Sequence, residues 1–548
     1  MGLVHVWRHV GVGCLFVATL WSPGGAQSAP ARTATMVLTG GKVFTADSTH
    51  PWAQAVAVRG ARILAVGTDS AMRRLAGPHT REIALGGRVV IPGINDAHDH
   101  VVDVALPGTF ATGTAGMPDP PLAQLVDSIR SVAARLRAGE WIRSTIGLRT
   151  LDDQGARRDA LDRVSAGHPV FLYSAWGHGA ILNSAALRAL GIYEHVVDPL
   201  GGWYERDASG RPTGRLDEYA AWAAYRRVNS RAPEARIIAG LRAFADSSLR
   251  MGVTSVQDMA GDFAPGLTVR AFRDAKLPIR TRLIRWSIPD ASGLNEAEWR
   301  HVTAHPGGMV VVSGRKWVLD GTPIERNALR RTPYHGSTSY GRLDFPLGTV
   351  RAILASALRP GAEPLHLHVV GDSTIVLVLA QMESLAPDST WRKLRVRIEH
   401  ASGLVGPLVA RASRLGIVIA QPRRGTPLRT WHDAGIPLAY GSDALRNPFY
   451  NMMAAVTSAA TPPEALTREE AVTMYTLGSA YAEWMEREKG SLAPGMLADL
   501  AVLSQDIFTV PERALPGTTS VLTMVGGRVA YDVLTRPCSP ASSPAGCR

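Results

Sequence analysis

Eight short apolar runs, at 89–100, 252–259, 279–286, 315–321, 365–372, 395–401, 416–422 and 436–443, alternate with stretches of helical spacing. Strands alternating with helices build βα units and a parallel sheet. Eight such units close a (β/α)8 TIM barrel, whose chemistry sits at the C-terminal ends of its strands. The rhythm breaks once, where about 150 residues separate the first run from the second. That gap carries its own helical pattern (Leu122, Leu125, Val126, Ile129, Val132 and Leu136) and a strand at 169–174. An insertion in a βα loop overhangs the barrel's mouth, so residues 104–235 are expected to form a cap. Strand-like runs at 36–44, 55–66, 498–503 and 521–531, punctuated by Gly40-Gly41, Gly60 and Gly526-Gly527, bracket everything else. The expected fold is therefore α/β: a barrel at 89–488 with a small β-sandwich assembled from 36–88 and 489–535.

Composition limits the partners. With 46% hydrophobic and 19% charged residues and 3 cysteines in 548, the chain is no disordered segment, coiled coil, collagen-like fibre or disulfide-built miniprotein. The formal charge is +12, yet the arginines are scattered and no run of five or six cations occurs, so no nucleic-acid partner is expected. Arg8 and His9 precede an apolar stretch at 11–21, followed by small residues from Ser22 to Ala26. Residues 1–27 thus read as an export signal, and the protein as periplasmic or secreted. The apolar stretch is too short for a permanent span, and no later segment reaches that length, so stable membrane insertion is not expected. Cys14 would leave with the signal; Cys538 and Cys547 lie in the Ser/Pro-rich tail at 536–548, as a small disulfide loop or as two free thiols. A small-molecule substrate is expected, and a homodimer is left open.

The chemistry gathers at the strand ends. His98-Asp99-His100 closes the first run, and alternate residues on a strand share a face, so both imidazoles enter the barrel with the spacing to share one metal. HxH alone is a weak signal, since two satisfied histidines would look identical. However, His368, His400 and Asp443 each end another run, and three imidazole-bearing strands with one carboxylate strand converge on the same mouth. Lys316 lies in the fourth run, although only 5 of 59 cations here are lysines. Arginine would serve for a plain ion pair. What arginine cannot supply is a neutral amine able to add CO2 and become an anionic carbamate that bridges two metal ions; the competing role is a structural lysine paired with a buried carboxylate.

The stretch Ile91-Pro92-Gly93-Ile94-Asn95-Asp96-Ala97-His98-Asp99-His100 resembles the first-strand signature of the amidohydrolase superfamily. Gly252 to Asp258, His368-Val369-Val370-Gly371-Asp372, Arg397-Ile398-Glu399-His400-Ala401, Gly441-Ser442-Asp443 and Gly490 to Val502 resemble its branch containing N-substituted formamide deformylase. So do Trp176-Gly177-His178, Asn183-Ser184, Gly201-Gly202 and Pro212 to Glu218 in the insertion. The resemblance implies that His98, His100 and Asp443 hold one metal, and that Lys316, as carbamate, bridges to a second held by His368 and His400. It makes His178, Asn183 and Asp320 substrate contacts. The stretch Asp320 to Arg326 departs from the Gly/Ser-rich loop usual at that place, so substrate preference does not transfer.

One or two divalent ions, zinc foremost by ligand class, would lower the pKa of water and polarise a carbonyl, while Asp443 takes the water's proton and returns it to the leaving nitrogen. Cleavage of an N-acyl or N-formyl carbon–nitrogen bond is the reaction expected. Two rivals are a deaminase on the same barrel, against which Lys316 speaks, and a non-catalytic binding protein, against which the full ligand set speaks.

Overall fold

The computed structural model describes residues 33–101, 108–110, 119–422, 425–443, 445–457 and 464–535. The proposed export signal, the tail and all three cysteines lie outside the described residues. Among those described, no helix is long and apolar enough to cross a membrane.

The eight expected barrel strands form one parallel sheet in chain order: β1 Ile94–Asp99, β2 Val253–Ala260, β3 Arg280–Trp286, β4 Val310–Val318, β5 Leu365–Val369, β6 Arg397–His400, β7 Val418–Ala420 and β8 Leu438–Ala439. The ends of β1 and β8 meet through Ala97 N–H to Tyr440 O (2.9 Å) and Asp443 N–H to His98 O (2.9 Å). Alternation sorts the side chains. On β5, Leu365, Leu367 and Val369 join the large apolar core under the helices, leaving His366 and His368 to the interior. On β4, Trp317 packs on Phe345 at 5.9 Å, leaving Lys316 to face inward.

Two boundaries differ from expectation. The run at 89–100 is two strands: Val89–Pro92 pairs with Lys42–Phe44 and Leu500–Leu503, and only β1 belongs to the barrel. The break falls at Gly93, where a Cβ would lie 2.2 Å from Thr254 Oγ1. The run at 36–44 likewise divides between two sheets. The fourth strand begins at Val310 and ends at Val318, so Asp320 and Gly321 lie beyond it.

Both chain ends build one sandwich. A four-stranded sheet (Arg62–Gly67, Ala55–Arg59, Met36–Thr39, Arg81–Ala84) faces a six-stranded one that includes Leu500–Leu503, Ser520–Val525 and Arg528–Asp532. Leu38, Val56 and Ile83 from the first share a core with Val43, Val90, Leu500 and Leu522 from the second. The insertion is richer than one helix and one strand. It holds a five-stranded sheet, ordered Gly202–Arg206, Pro212–Glu218, Gly179–Leu182, Val170–Ser174 and Ile142–Ile146. Two apolar clusters of its own support it, one around Phe171 and Leu190, the other around Ile129 and Leu161. It docks on the barrel through Tyr219, whose hydroxyl accepts from Val318 N–H at 2.9 Å.

Candidate active site

His98, His100 and Asp443 come together at the mouth, their ligand atoms all within 4.8 Å of one another. Asp443 Oδ1 is 3.6 Å from His98 Nε2 and 3.8 Å from His100 Nε2. The approach of β8 depends on Gly441, where a Cβ would stand 2.4 Å from His98 N and 2.6 Å from its carbonyl oxygen. Behind this contact the Asp96 carboxylate accepts from Ser442 N–H (2.9 Å) and His98 N–H (3.2 Å), tying the two strand ends together.

The remaining imidazoles follow in sequence around the mouth. Ring centroids are 5.5 Å apart for His98–His100, 5.3 Å for His98–His400, 4.6 Å for His400–His368 and 4.7 Å for His368–His178. Two tryptophans complete the circuit: Trp222 of the cap lies 5.1 Å from His178 and 4.9 Å from Trp286, which is 5.6 Å from His100. Lys316 Nζ lies 5.5 Å from the Trp286 ring. Burial pushes that amine down to about 8, with Glu399 and Asp443 opposing the shift. His98, His368, His400 and Lys316 are buried, whereas the side chains of His100 and Asp443 keep 28% and 27% of their exposure; water and substrate therefore enter on that side.

Three imidazoles are aimed by a hydrogen bond at Nδ1, and a fourth turns its Nδ1 to a carboxylate. His98 meets Glu399 Oε2 (2.7 Å), His178 meets Glu218 Oε2 (2.7 Å), His400 meets the Gln421 carbonyl (3.1 Å) and His100 faces Asp262 (3.7 Å). An acceptor at Nδ1 fixes the proton there and leaves the Nε2 lone pair for a metal or substrate. Burial, reinforced by Lys316, lowers His98 to about 4, so it is neutral and able to ligate at pH 7. Burial alone would raise Glu399, but Arg397 and His98 hold it well below the usual carboxylate range. This imidazole-and-carboxylate set fits a divalent ion of the zinc class. His400, Gln421, Asp443 and Glu218 have φ of 68°, 52°, 44° and 51°. Such left-handed backbone at non-glycine residues is costly and gathers where function demands it. At His400 it breaks the strand's alternation, so that Glu399 and His400, sequence neighbours, both serve the site.

Two expected contacts are corrected. Asn183 is fully buried as the cap of helix Ser184–Ala189: its Oδ1 accepts from Val170 and Ala186 N–H, and its amide donates to Ser165 Oγ and the His168 carbonyl. Asp320, also fully buried, accepts from the N–H groups of Val370 (2.9 Å), Gly371 (2.8 Å) and Leu329 (3.2 Å) and from Thr374 Oγ1 (2.8 Å). It pins the turn after β5 and has no capacity left for a substrate. Sequence reasoning, conversely, gave no role to Glu399, Glu218 or Asp262. Glu399 and Glu218 lie inside the motifs quoted above, and that placement was the available signal.

The model of the amidohydrolase family matches residues 81–531. The chain is 28% identical to the N-substituted formamide deformylase of Arthrobacter pascens, over 91% of this chain and 98% of that one. It is also 28% identical to the protein LONG AFTER FAR-RED 3 of Arabidopsis thaliana, over 93% and 94%. Among solved structures, an uncharacterized metal-dependent hydrolase from Pyrococcus horikoshii superposes with a TM-score of 0.65 at 19% identity, covering 87% of this chain and 99% of the other. The barrel, the ligand set at its mouth and these likenesses agree: the chain belongs to the amidohydrolase family, metal-dependent hydrolases of carbon–nitrogen bonds.

Proposed function

We propose that the protein is an exported hydrolase of an N-acyl or N-formyl amine. The observation that carries this reading is the convergence of His98, His100 and Asp443 beside His400, His368 and a buried, easily neutralised Lys316. His98, His100 and Asp443 would hold one divalent ion, and His368, His400 and Lys316 a second. The Lys316 amine would add CO2 to give a carbamate and one released proton. Zinc suits this ligand class. When bound, the metal supplies a water of lowered pKa and a Lewis acid for the substrate carbonyl.

The chain's own groups do the rest. Asp443, at the open side, accepts the proton of the attacking water and delivers it to the leaving nitrogen, which departs as a neutral amine. His178, set by Glu218, presents the Nε2 lone pair toward the mouth as a hydrogen-bond acceptor for a substrate N–H. Trp222 and Trp286 close one flank against water.

The formyl half of the proposal draws on the name of the Arthrobacter relative, and export on Arg8, His9 and the apolar stretch at 11–21. Metal-reconstituted protein should be screened against N-formyl and N-acyl amines and amino acids, with separate assays for the carboxylic acid and for ammonia. Release of formate or another carboxylate with a free amine is expected. Ammonia released from a ring amine, with no acid formed, would make the protein a deaminase. Amino-terminal sequencing of the periplasmic or secreted protein should find residues 1–27 removed; an intact Met1 on the active protein would contradict export.

A further inference from the structure

Directly beneath the His98 imidazole lies the carboxylate of Glu399, with no exposed surface. A charged carboxylate only accepts, so His98 Nδ1–H donates to Oε2 across 2.7 Å. The other oxygen, Oε1, stands 3.5 Å from His366 Nδ1 and 2.7 Å from Arg397 Nε. Arg397 is itself buried: it donates to Gln257 Oε1 at 2.7 Å, to Glu399 Oε2 at 3.1 Å and to the Ala97 carbonyl, one residue before His98. Burying such an ion pair is costly, and on stability grounds alone apolar residues would serve as well or better. Of the other strand-end imidazoles, His400 is held by a backbone carbonyl at 3.1 Å, and His100 only faces a carboxylate at 3.7 Å.

We propose that Glu399 is the positioning residue of the metal centre: it holds the His98 Nδ1 proton, aims Nε2 at the point shared with His100 and Asp443, and makes that imidazole the strongest donor there. The proposal rests on the metal-site reading above. A carboxylate behind a ligating histidine fixes ring orientation and raises ligand basicity, and its loss typically weakens metal affinity about 10- to 100-fold. The competing role for Glu399 is simple neutralisation of Arg397, with His98 a bystander.

Zinc affinity of the full-length protein, measured by chelator competition, separates the two. Glu399→Gln keeps the side chain's shape and an acceptor but removes its charge, and should bind zinc about tenfold more weakly or worse. The double variant Arg397→Met, Glu399→Gln removes the unpaired guanidinium and should remain as weak. In the cobalt-loaded single variant the visible ligand-field bands should shift as the His98 donor weakens. Wild-type affinity and spectrum in Glu399→Gln, or recovery of affinity in the double variant, would overturn the proposal.

A measurement without any change at Glu399 guards against variants that do not fold. His178→Ala lacks the other 2.7 Å imidazole–carboxylate pair described above. With nitrogen-15 histidine labelling it should still show a strongly deshielded, nitrogen-bound imidazole proton, and absence of that resonance would also overturn the proposal. If the wild-type protein binds no metal at all, the functional reading fails; if it binds metal and Glu399→Gln binds it equally, only this inference does.

Discussion

The proposed metal centre places its largest chemical demand on Lys316. To form the proposed carbamate its amine would first lose a proton, and burial at the barrel mouth moves it toward that state. Lys316→Arg keeps the charge and the bulk but cannot form a carbamate, so activity should fall by about three orders of magnitude or more while the circular dichroism spectrum stays unchanged. Near-normal turnover in that variant, with stoichiometric metal, would contradict the bridging role. His178 and Glu218 form a second testable pair. Either His178→Ala or Glu218→Gln should raise KM or lower kcat with metal content unaltered, as expected of groups that touch or orient the substrate. Metal loss in His178→Ala would instead make it a ligand. That His98, His100, His368, His400 and Asp443 would meet at the mouth was legible because few side chain types can bind metal and these stand at or just beyond strand ends. Their carboxylate supports were not, because Asp and Glu are common and their service depends on through-space contacts such as the 2.7 Å from Glu399 to His98.

Among the elements, the barrel strands were recognisable from apolar runs, but their limits follow contacts that a run does not encode. The first run carries no mark of a sheet change except Gly93, whose missing Cβ admits Thr254. Two of the cap's extra strands were obscured because Gly202–Arg206 and Pro212–Glu218 carry charged residues, and the first is only partly buried. Strand β2 also makes a pH prediction. Burial, with Asp262 nearby, pushes Asp258 up to about 8, while one of its oxygens accepts from Val101 N–H at 2.8 Å. An unfolded aspartate titrates near ~3.9. Between these two values the unfolded chain has released a proton that the folded chain retains, so this residue makes stability fall as pH rises from about 4 to about 8. Asp258→Asn has no such proton. In metal-free protein, the variant's urea midpoint should gain on wild type between about pH 5 and about pH 8, and parallel profiles would show that Asp258 is ionised in the fold.

At the scale of the whole molecule, chain ends more than 400 residues apart share a sandwich, and Val89–Pro92 enters it immediately before β1. Deleting residues 500–535 would strip three strands from the six-stranded sheet and expose Val90, Val43 and Leu38. Such a truncation should yield no soluble barrel; a soluble product with native circular dichroism would show that the barrel folds without its terminal sheets. The architecture also explains why a functional family is easier to read here than a substrate. The barrel gathers its strand-end imidazoles and Asp443 by strand geometry, whereas the flank formed by Trp222, Trp286 and His178 arises only when the cap folds over β3 and β5. The central claim is that distant strand ends converge to bind metal, and elemental analysis of the purified wild-type protein beside His98→Ala, His100→Ala tests it most directly. The account predicts at least about one equivalent of a divalent transition metal in the wild type and a near-complete loss in the folded double variant; no metal in the wild type, or equal metal in both, would contradict it.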